Sequence, residues 1–284
     1  MEQPSISLGS RILMLSRDTT IRTPDGLCLA GSLVYPDVPN GRGVVLVHGG
    51  GVTREEGGFF SRLADGLAAS GVASLRFDLR GHGESEGRQE DLTIAGILGD
   101  VGAALGVITD QANVRRPILL GASFAGGICA YYAATHPSAL NGLVLFNPLL
   151  NYKKRFIDDK PYWHHDEIDE EAGRALSAQG YIAHSPTFKL GRPLLNEVFY
   201  LRPDRVLDQV AVATLIVHGT KDTFIPVESS REASKVIGGE CRLVEIDGAQ
   251  HGFAVHDDPG YADPQSQRWQ SEVIELVGQW VAWR

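Results

Sequence analysis

Hydrophobic and polar positions change rhythm several times along this chain. Residues 18–23 and 27–35 are β-like runs joined by Pro24-Asp25-Gly26. Asp-Gly between two such runs predicts a hairpin. Pro36, Pro39, Asn40 and Gly41 then break the pattern. Residues 43–47 form a short β-branched run, as in a strand buried on both faces. Residues 59–70 carry apolar positions at helical spacing and stop at Gly71, a natural helix C-cap. Residues 72–77 predict another buried strand, and Asp78 follows it. Beyond a polar, Gly-rich loop at 80–87, the pattern predicts a helix over 93–109, a strand over 118–121, a helix over 125–136 and a strand over 143–147. This alternation predicts an α/β fold, a mostly parallel central sheet with helices on both faces.

The rhythm breaks between Pro148 and Val210. Short helices are expected there, interrupted by Pro161, Pro186, Pro193 and Pro203, among many aromatic residues. The segment reads as an inserted cap subdomain, 148–210, laid over the C-terminal edge of the sheet. Residues 1–147 and 211–284 form the core. Strand 213–218, helix 227–237, strand 241–246 and a last helix over 265–283 resume the alternation. No internal repeat or low-complexity tract is visible.

Composition narrows the class. With 284 residues, 43% hydrophobic and 21% charged, the chain has the make-up of an ordinary globular enzyme and can bury roughly three quarters of its unfolded surface. The net charge of −9 argues against nucleic acid or an anionic membrane as partner. Cys28, Cys129 and Cys241 are scattered and odd in number, which suits a reducing compartment. Cys129, inside a predicted helix, reads as core. The run Ile12-Leu13-Met14-Leu15 is too short for a signal sequence, and no apolar stretch is expected to span a membrane. The expected location is the cytoplasm. No cofactor is implied. The expected partner is a small-molecule acyl substrate, and the reading leaves room for a homodimer.

Candidate chemistry is concentrated at strand ends. Ile118-Leu119-Leu120-Gly121-Ala122-Ser123-Phe124-Ala125-Gly126-Gly127 is a strand running into a serine and then a small-residue helix. That is the pattern of a nucleophile elbow, whose tight turn requires small residues around the serine. Asp222 follows strand 213–218 through Gly219-Thr220-Lys221, and His251 follows strand 241–246 through Asp247-Gly248-Ala249-Gln250. Ligands of open α/β sheets sit beyond the carboxyl ends of the strands, so Ser123, Asp222 and His251 converge there in the order expected of a Ser-Asp-His hydrolase. His251 would take the serine proton, and Asp222 would orient the imidazole. The backbone N–H of Phe124 is one expected oxyanion donor. The second falls in His48-Gly49-Gly50-Gly51, with Gly50 favoured over Gly51. His256 is the rival base, and Asp247, Asp257 and Asp258 are rival acids. His48 and His82 are expected to brace loops. His164-His165-Asp166 invites a metal reading, but adjacent residues rarely share one ligand set, so no metal site is expected. Phe124, Tyr152, Trp163 and Phe199 are the candidates for the substrate-pocket wall.

These motifs resemble the α/β-hydrolase superfamily, and within it the bacterial cinnamoyl (feruloyl) esterase-like, or serine aminopeptidase-like, hydrolases. The likeness is carried by Val47-His48-Gly49-Gly50, by Phe77-Asp78-Leu79-Arg80-Gly81-His82-Gly83-Glu84-Ser85-Glu86-Gly87, by Gly121-Ala122-Ser123, by His218-Gly219-Thr220-Lys221-Asp222 and by Gly248-Ala249-Gln250-His251. It implies Ser123, Asp222 and His251 as triad, Gly50 and Phe124 as oxyanion donors, and a cap after strand 143–147. The chain departs from the family at Ala122, where a histidine is usual, and at Phe124-Ala125-Gly126, where Gln-Gly-Gly is usual. The leading expectation is hydrolysis of a carboxylic ester through an acyl-serine. An acyltransferase, cyclase or thioesterase using the same acyl-enzyme, and a silent binding protein, are the alternatives.

Overall fold

A computed structural model describes residues 15–284. Of the N-terminal apolar run, Ile12-Leu13-Met14 lies outside them. Strands β1 (Leu15–Arg22) and β2 (Cys28–Tyr35) form the expected hairpin, antiparallel with Leu15 opposite Tyr35 and Arg22 opposite Cys28. β3 (Gly43–Val47), α1 (Phe59–Ala69), β4 (Ala73–Phe77), α2 (Ile94–Ala112), β5 (Ile118–Ala122), α3 (Ala125–Thr135) and β6 (Gly142–Phe146) follow. After residues 148–210 come β11 (Thr214–Gly219), α6 (Glu228–Val236), β12 (Cys241–Ile246) and α7 (Pro264–Ala282). The eight core strands lie in the order β1-β2-β4-β3-β5-β6-β11-β12. β2 is antiparallel to β1 and β4, and the other pairs are parallel.

The strand sequences explain why the sheet is covered on both sides. Every residue of β3, β5 and β6 is buried. Alternate side chains go to opposite faces. Val45, Val47, Leu119, Leu143 and Leu145 pack with residues of α2 and α3, whereas Val44, Leu46, Leu120, Val144 and Phe146 pack with α1 and α7. By length and composition α2 would be able to span a bilayer, contrary to the expectation from sequence. Here its Ile94, Ile97, Val101, Ala104, Leu105 and Ile108 recur at helical spacing and are buried against the sheet.

Residues 148–210 contain more strand than the proline pattern suggests. A helical turn at Lys154–Asp158 precedes a two-residue-per-strand hairpin, β7 (Trp163–His164) with β8 (Glu167–Ile168). α4 (Glu170–Gln179) leads into a second hairpin, β9 (Tyr181–Ser185) with β10 (Phe188–Gly191), and then α5 (Arg192–Glu197). Expectation and structure differ because Pro186 lies between β9 and β10, and Pro193 and Pro203 start helical turns. Proline is well suited to the first turn of a helix, where its missing N–H costs nothing. The segment lies against loops of the core. Gln89 binds Thr187 O at 3.1 Å and Lys189 N at 3.0 Å, while the Glu197 carboxylate accepts from Ile94 N.

Candidate active site

The turn after β5 puts Ser123 in the left-handed region, φ 50°. Few residues other than glycine tolerate this without support. Three backbone bonds hold it: Ser123 N donates to Phe146 O at 2.8 Å, and Ser123 O accepts from Leu149 N at 2.9 Å and from Gly126 N at 3.0 Å. The surroundings are closely fitted. A methyl group on Gly121 would lie 2.6 Å from Cys129 Sγ, and one on Gly126 would lie 2.5 Å from the Pro148 Cβ. Thus the small residues needed around Ser123 are Gly121 and Gly126, with Ala125 also buried. Cys129 is core, and burial pushes its thiol pKa up.

Asp222 and His251 arrive from the ends of β11 and β12. His251 Nδ1 lies 2.6 Å from Asp222 Oδ2, and its Nε2 lies 2.9 Å from Ser123 Oγ. The acceptor on one side assigns the tautomer: Nδ1–H donates to the carboxylate, leaving Nε2 to accept from the serine. The Asp222 side chain is fully buried. Burial opposes its ionisation. Hydrogen bonds from His218 and His251, the nearby His251 ring and the Ile225 N–H outweigh that and hold its carboxyl well below the usual carboxylate range. Oδ1 accepts from Phe224 N at 2.8 Å and Ile225 N at 2.9 Å. His218, four residues before Asp222, is the partner that sequence reasoning missed as such. Its Nε2 lies 3.3 Å from Asp222 Oδ2 and 2.9 Å from Ile225 O, while Nδ1 faces Ser230 Oγ at 2.7 Å. Asn147 (φ 41°) ties the ends of β6 and β11 together, accepting from Gly219 N at 3.0 Å.

The glycine loop after β3 meets the same point. Gly49 N donates to Glu56 Oε1 at 2.5 Å, and Gly51 N donates to His82 Nε2 at 3.1 Å. Gly50 N and Phe124 N have no such partner among the described residues, and both residues line the pocket at Ser123. Gly51 is therefore committed elsewhere and Gly50 is available. A methyl group on Gly50 would lie 2.7 Å from the ring of Phe188 on β10, so glycine lets this strand close over the loop. His48 and His82 brace the loops. His48 Nε2 accepts from Leu79 N at 2.9 Å, and burial, with His82 nearby, pushes its pKa down to about 3. Asp78 gathers Arg54 N at 2.7 Å, Glu84 N at 3.0 Å and the Arg54 guanidinium, and a methyl on Gly83 would collide with its carboxylate.

Glu56 is a second residue the sequence did not single out. It has φ 45° and faces Ser123, Asn147 and His251. Burial raises its carboxyl pKa, against the opposing pull of the Gly49 N–H and His251. A carboxyl whose folded pKa is raised binds its proton more tightly in the native state. Its contribution to stability is therefore lost as pH rises through and above the ordinary carboxylate range. Glu56→Gln keeps the acceptor for Gly49 and removes the titration. Its melting temperature relative to wild type should be higher at pH 7.5 than at pH 4; an equal difference at both would contradict this.

Of the other candidates, His256 is exposed and paired with Asp257 at 2.9 Å. Asp247 accepts from Thr220 Oγ1 at 3.1 Å, and Asp258 caps the turn at Ala262 and Asp263. His164 and His165 are exposed, and Asp166 pairs with Lys153 at 2.6 Å. The expected pocket wall is corrected in part. Phe124 lines the pocket. Tyr152 lies behind it, fully buried, with its hydroxyl donating to Phe124 O at 2.5 Å. Trp163 and Phe199 pack on each other, ring centres 6.0 Å apart, away from the pocket lining. Phe156, Phe188 and Phe224 form the wall instead, in a cavity of about 230 Å³.

A family model described as the alpha/beta hydrolase fold matches residues 43–192, and the chain belongs to that family. A monoacylglycerol lipase of Mycolicibacterium smegmatis is 28% identical over 218 residues, covering 69% of this chain and 75% of that protein. The ferulic acid complex of Est1E from Butyrivibrio proteoclasticus has a TM-score of 0.73 at 24% identity, covering 93% of this chain and 99% of that one. The monoacylglycerol lipase of Paleococcus ferrophilus has a TM-score of 0.65 at 21% identity, covering 89% and 98%.

Proposed function

We propose that this protein hydrolyses a carboxylic ester of a small molecule through an acyl-serine, with Ser123 as nucleophile, His251 as base and acid, and Asp222 orienting the imidazole. The observation that carries this reading is the unbroken line from Asp222 through His251 to Ser123, at 2.6 and 2.9 Å. Ester chemistry is also supported by the lipase among its relatives. Ser123 Oγ attacks the carbonyl carbon and its proton passes to His251 Nε2. The carbonyl electron pair moves onto oxygen, which faces the N–H groups of Gly50 and Phe124. Collapse breaks the bond to the alcohol oxygen, which takes the proton from Nε2. Water then repeats the sequence: its proton goes to His251, its oxygen joins the acyl carbon, and Ser123 leaves with the proton returned. Residues 148–210 act as the cap that walls the pocket.

The test is intact-protein mass after treatment with a fluorophosphonate. One adduct is expected on wild type and on His256→Ala, and none on Ser123→Ala or, over the same exposure, His251→Ala. An unlabelled wild type, or a labelled Ser123→Ala, would overturn the assignment.

A further inference from the structure

The pocket above Ser123 carries charge of one sign. Arg155 and Lys160 line it beside an uncharged His184, and no acidic side chain does. The chain has 35 acidic against 26 basic residues, so a partly buried cation has many chances of a partner. Arg155 and Lys160 have none: neither side chain makes an ion pair or hydrogen bond among the described residues. Their neighbours differ. Lys153 pairs with Asp158 and Asp166, each at 2.6 Å, and Lys154 pairs with Asp159 at 2.5 Å. His184 adds a buried Nδ1 with no hydrogen-bond partner. Burial, with Lys160 and Arg155 close by, pushes its pKa down to about 4, and burial with Arg155 lowers that of Lys160. Asp159 acts on Lys160 without pairing with it; partly buried cations that lack a paired counter-charge are costly, and a cleft with this field draws anions.

The side chains between Ser123 and His184 are apolar. Phe124 contacts Phe188 and Phe156, with ring centres 5.1 and 6.2 Å apart, and His184 contacts Phe156 at 5.1 Å and Phe188 at 6.0 Å. One layer of aromatic rings thus lies between Phe124, next to Ser123, and His184. At about 230 Å³ the cavity falls below the roughly 300–1,000 Å³ of drug-sized sites, so the arm it accepts is short.

We propose that the substrate is an ester bearing a carboxylate on a short apolar arm, with Arg155 and Lys160 as its counter-charges and His184 as a ring N–H donor. This rests on the serine-hydrolase reading above. The experiment compares monomethyl glutarate and monomethyl adipate with their dimethyl esters, scored as kcat/KM per ester bond. Wild type should prefer the half-esters by about tenfold or more, the worth of one charge-assisted hydrogen bond. Arg155→Gln and Lys160→Gln should each lower that preference severalfold, mainly through KM, whereas Lys235→Gln, exposed on α6 and outside the pocket lining, should leave it unchanged. A second readout needs no turnover: free glutarate or adipate should slow fluorophosphonate labelling of Ser123, and the dimethyl esters should not do so as diacids do. Equal or better use of the diesters, a preference untouched by both pocket variants, or no protection by saturating diacid would each overturn the proposal. Labelling that proceeds normally in those cases leaves the serine-hydrolase reading standing, while a wild type that is never labelled removes both.

Discussion

Ser123→Ala is expected to lower kcat by about 10⁶-fold, roughly 8 kcal/mol of transition-state stabilisation, with KM little changed. The loss is large because the three groups act as a unit. Without Oγ, His251 Nε2 at 2.9 Å has no proton to take, and water must attack unassisted by a fixed geometry. What remains is the contribution of the oxyanion donors and of substrate binding, about 10³- to 10⁴-fold over water. The fold should be untouched. Alanine removes only an oxygen from a partly exposed residue, and the backbone bonds from Ser123 to Phe146 and Leu149 stay. A steady-state assay with an active ester, beside a far-ultraviolet spectrum, reads both. Turnover within tenfold of wild type would contradict the assignment of Ser123.

Asp222→Asn should cost about 10⁴-fold in kcat. The residue is isosteric, so packing is kept. Phe224 N and Ile225 N bind Oδ1 and fix the amide oxygen on their side. The amide nitrogen then replaces Oδ2, where His251 Nδ1 and His218 Nε2 both point. A donor now faces two donors. His251 can avoid the conflict by moving its proton to Nε2, and that tautomer cannot accept from Ser123. The kinetic signature is a fall in kcat with little change in KM. The 15N chemical shifts of His251 should report the exchange of protonated and bare ring nitrogens. A variant with unaltered shifts and near-normal turnover would refute this account of Asp222.

The parts of this fold that the sequence made legible are those where burial or a turn leaves little choice. Strands β3, β5 and β6 are buried throughout and read as unbroken apolar runs. Ser123, Asp222 and His251 each follow a strand end, so a parallel sheet brings them to one edge. Gly50 and Phe124 likewise follow the ends of β3 and β5 and line the same pocket. Residues 148–210 were less legible because composition does not say which way a ring points. Tyr152, Trp163 and Phe199 are aromatic in the right segment, yet one props Phe124 from behind and two pack on each other. Phe188 holds the wall because it stands on a strand that the sequence did not predict. Glu56 precedes a glycine pair with no periodic signal. His218 lies within a motif, His218-Gly219-Thr220-Lys221-Asp222, where only its four-residue spacing to Asp222 marks it.

The glycines beneath Ser123 have a consequence for how such an enzyme changes its diet. Methyl groups on Gly121, Gly126 or Gly127 would strike Cys129, Pro148 or Leu149 at 2.5–2.6 Å, so the floor of the site accepts no new atoms. The opposite wall, the β9–β10 hairpin, is held to the core loops partly through the single side chain of Gln89. Selection for new substrates therefore has one side of the cavity to work with, and libraries aimed at Arg155, Lys160, His184 and Phe188 should yield altered specificity where libraries in the elbow yield unfolded protein.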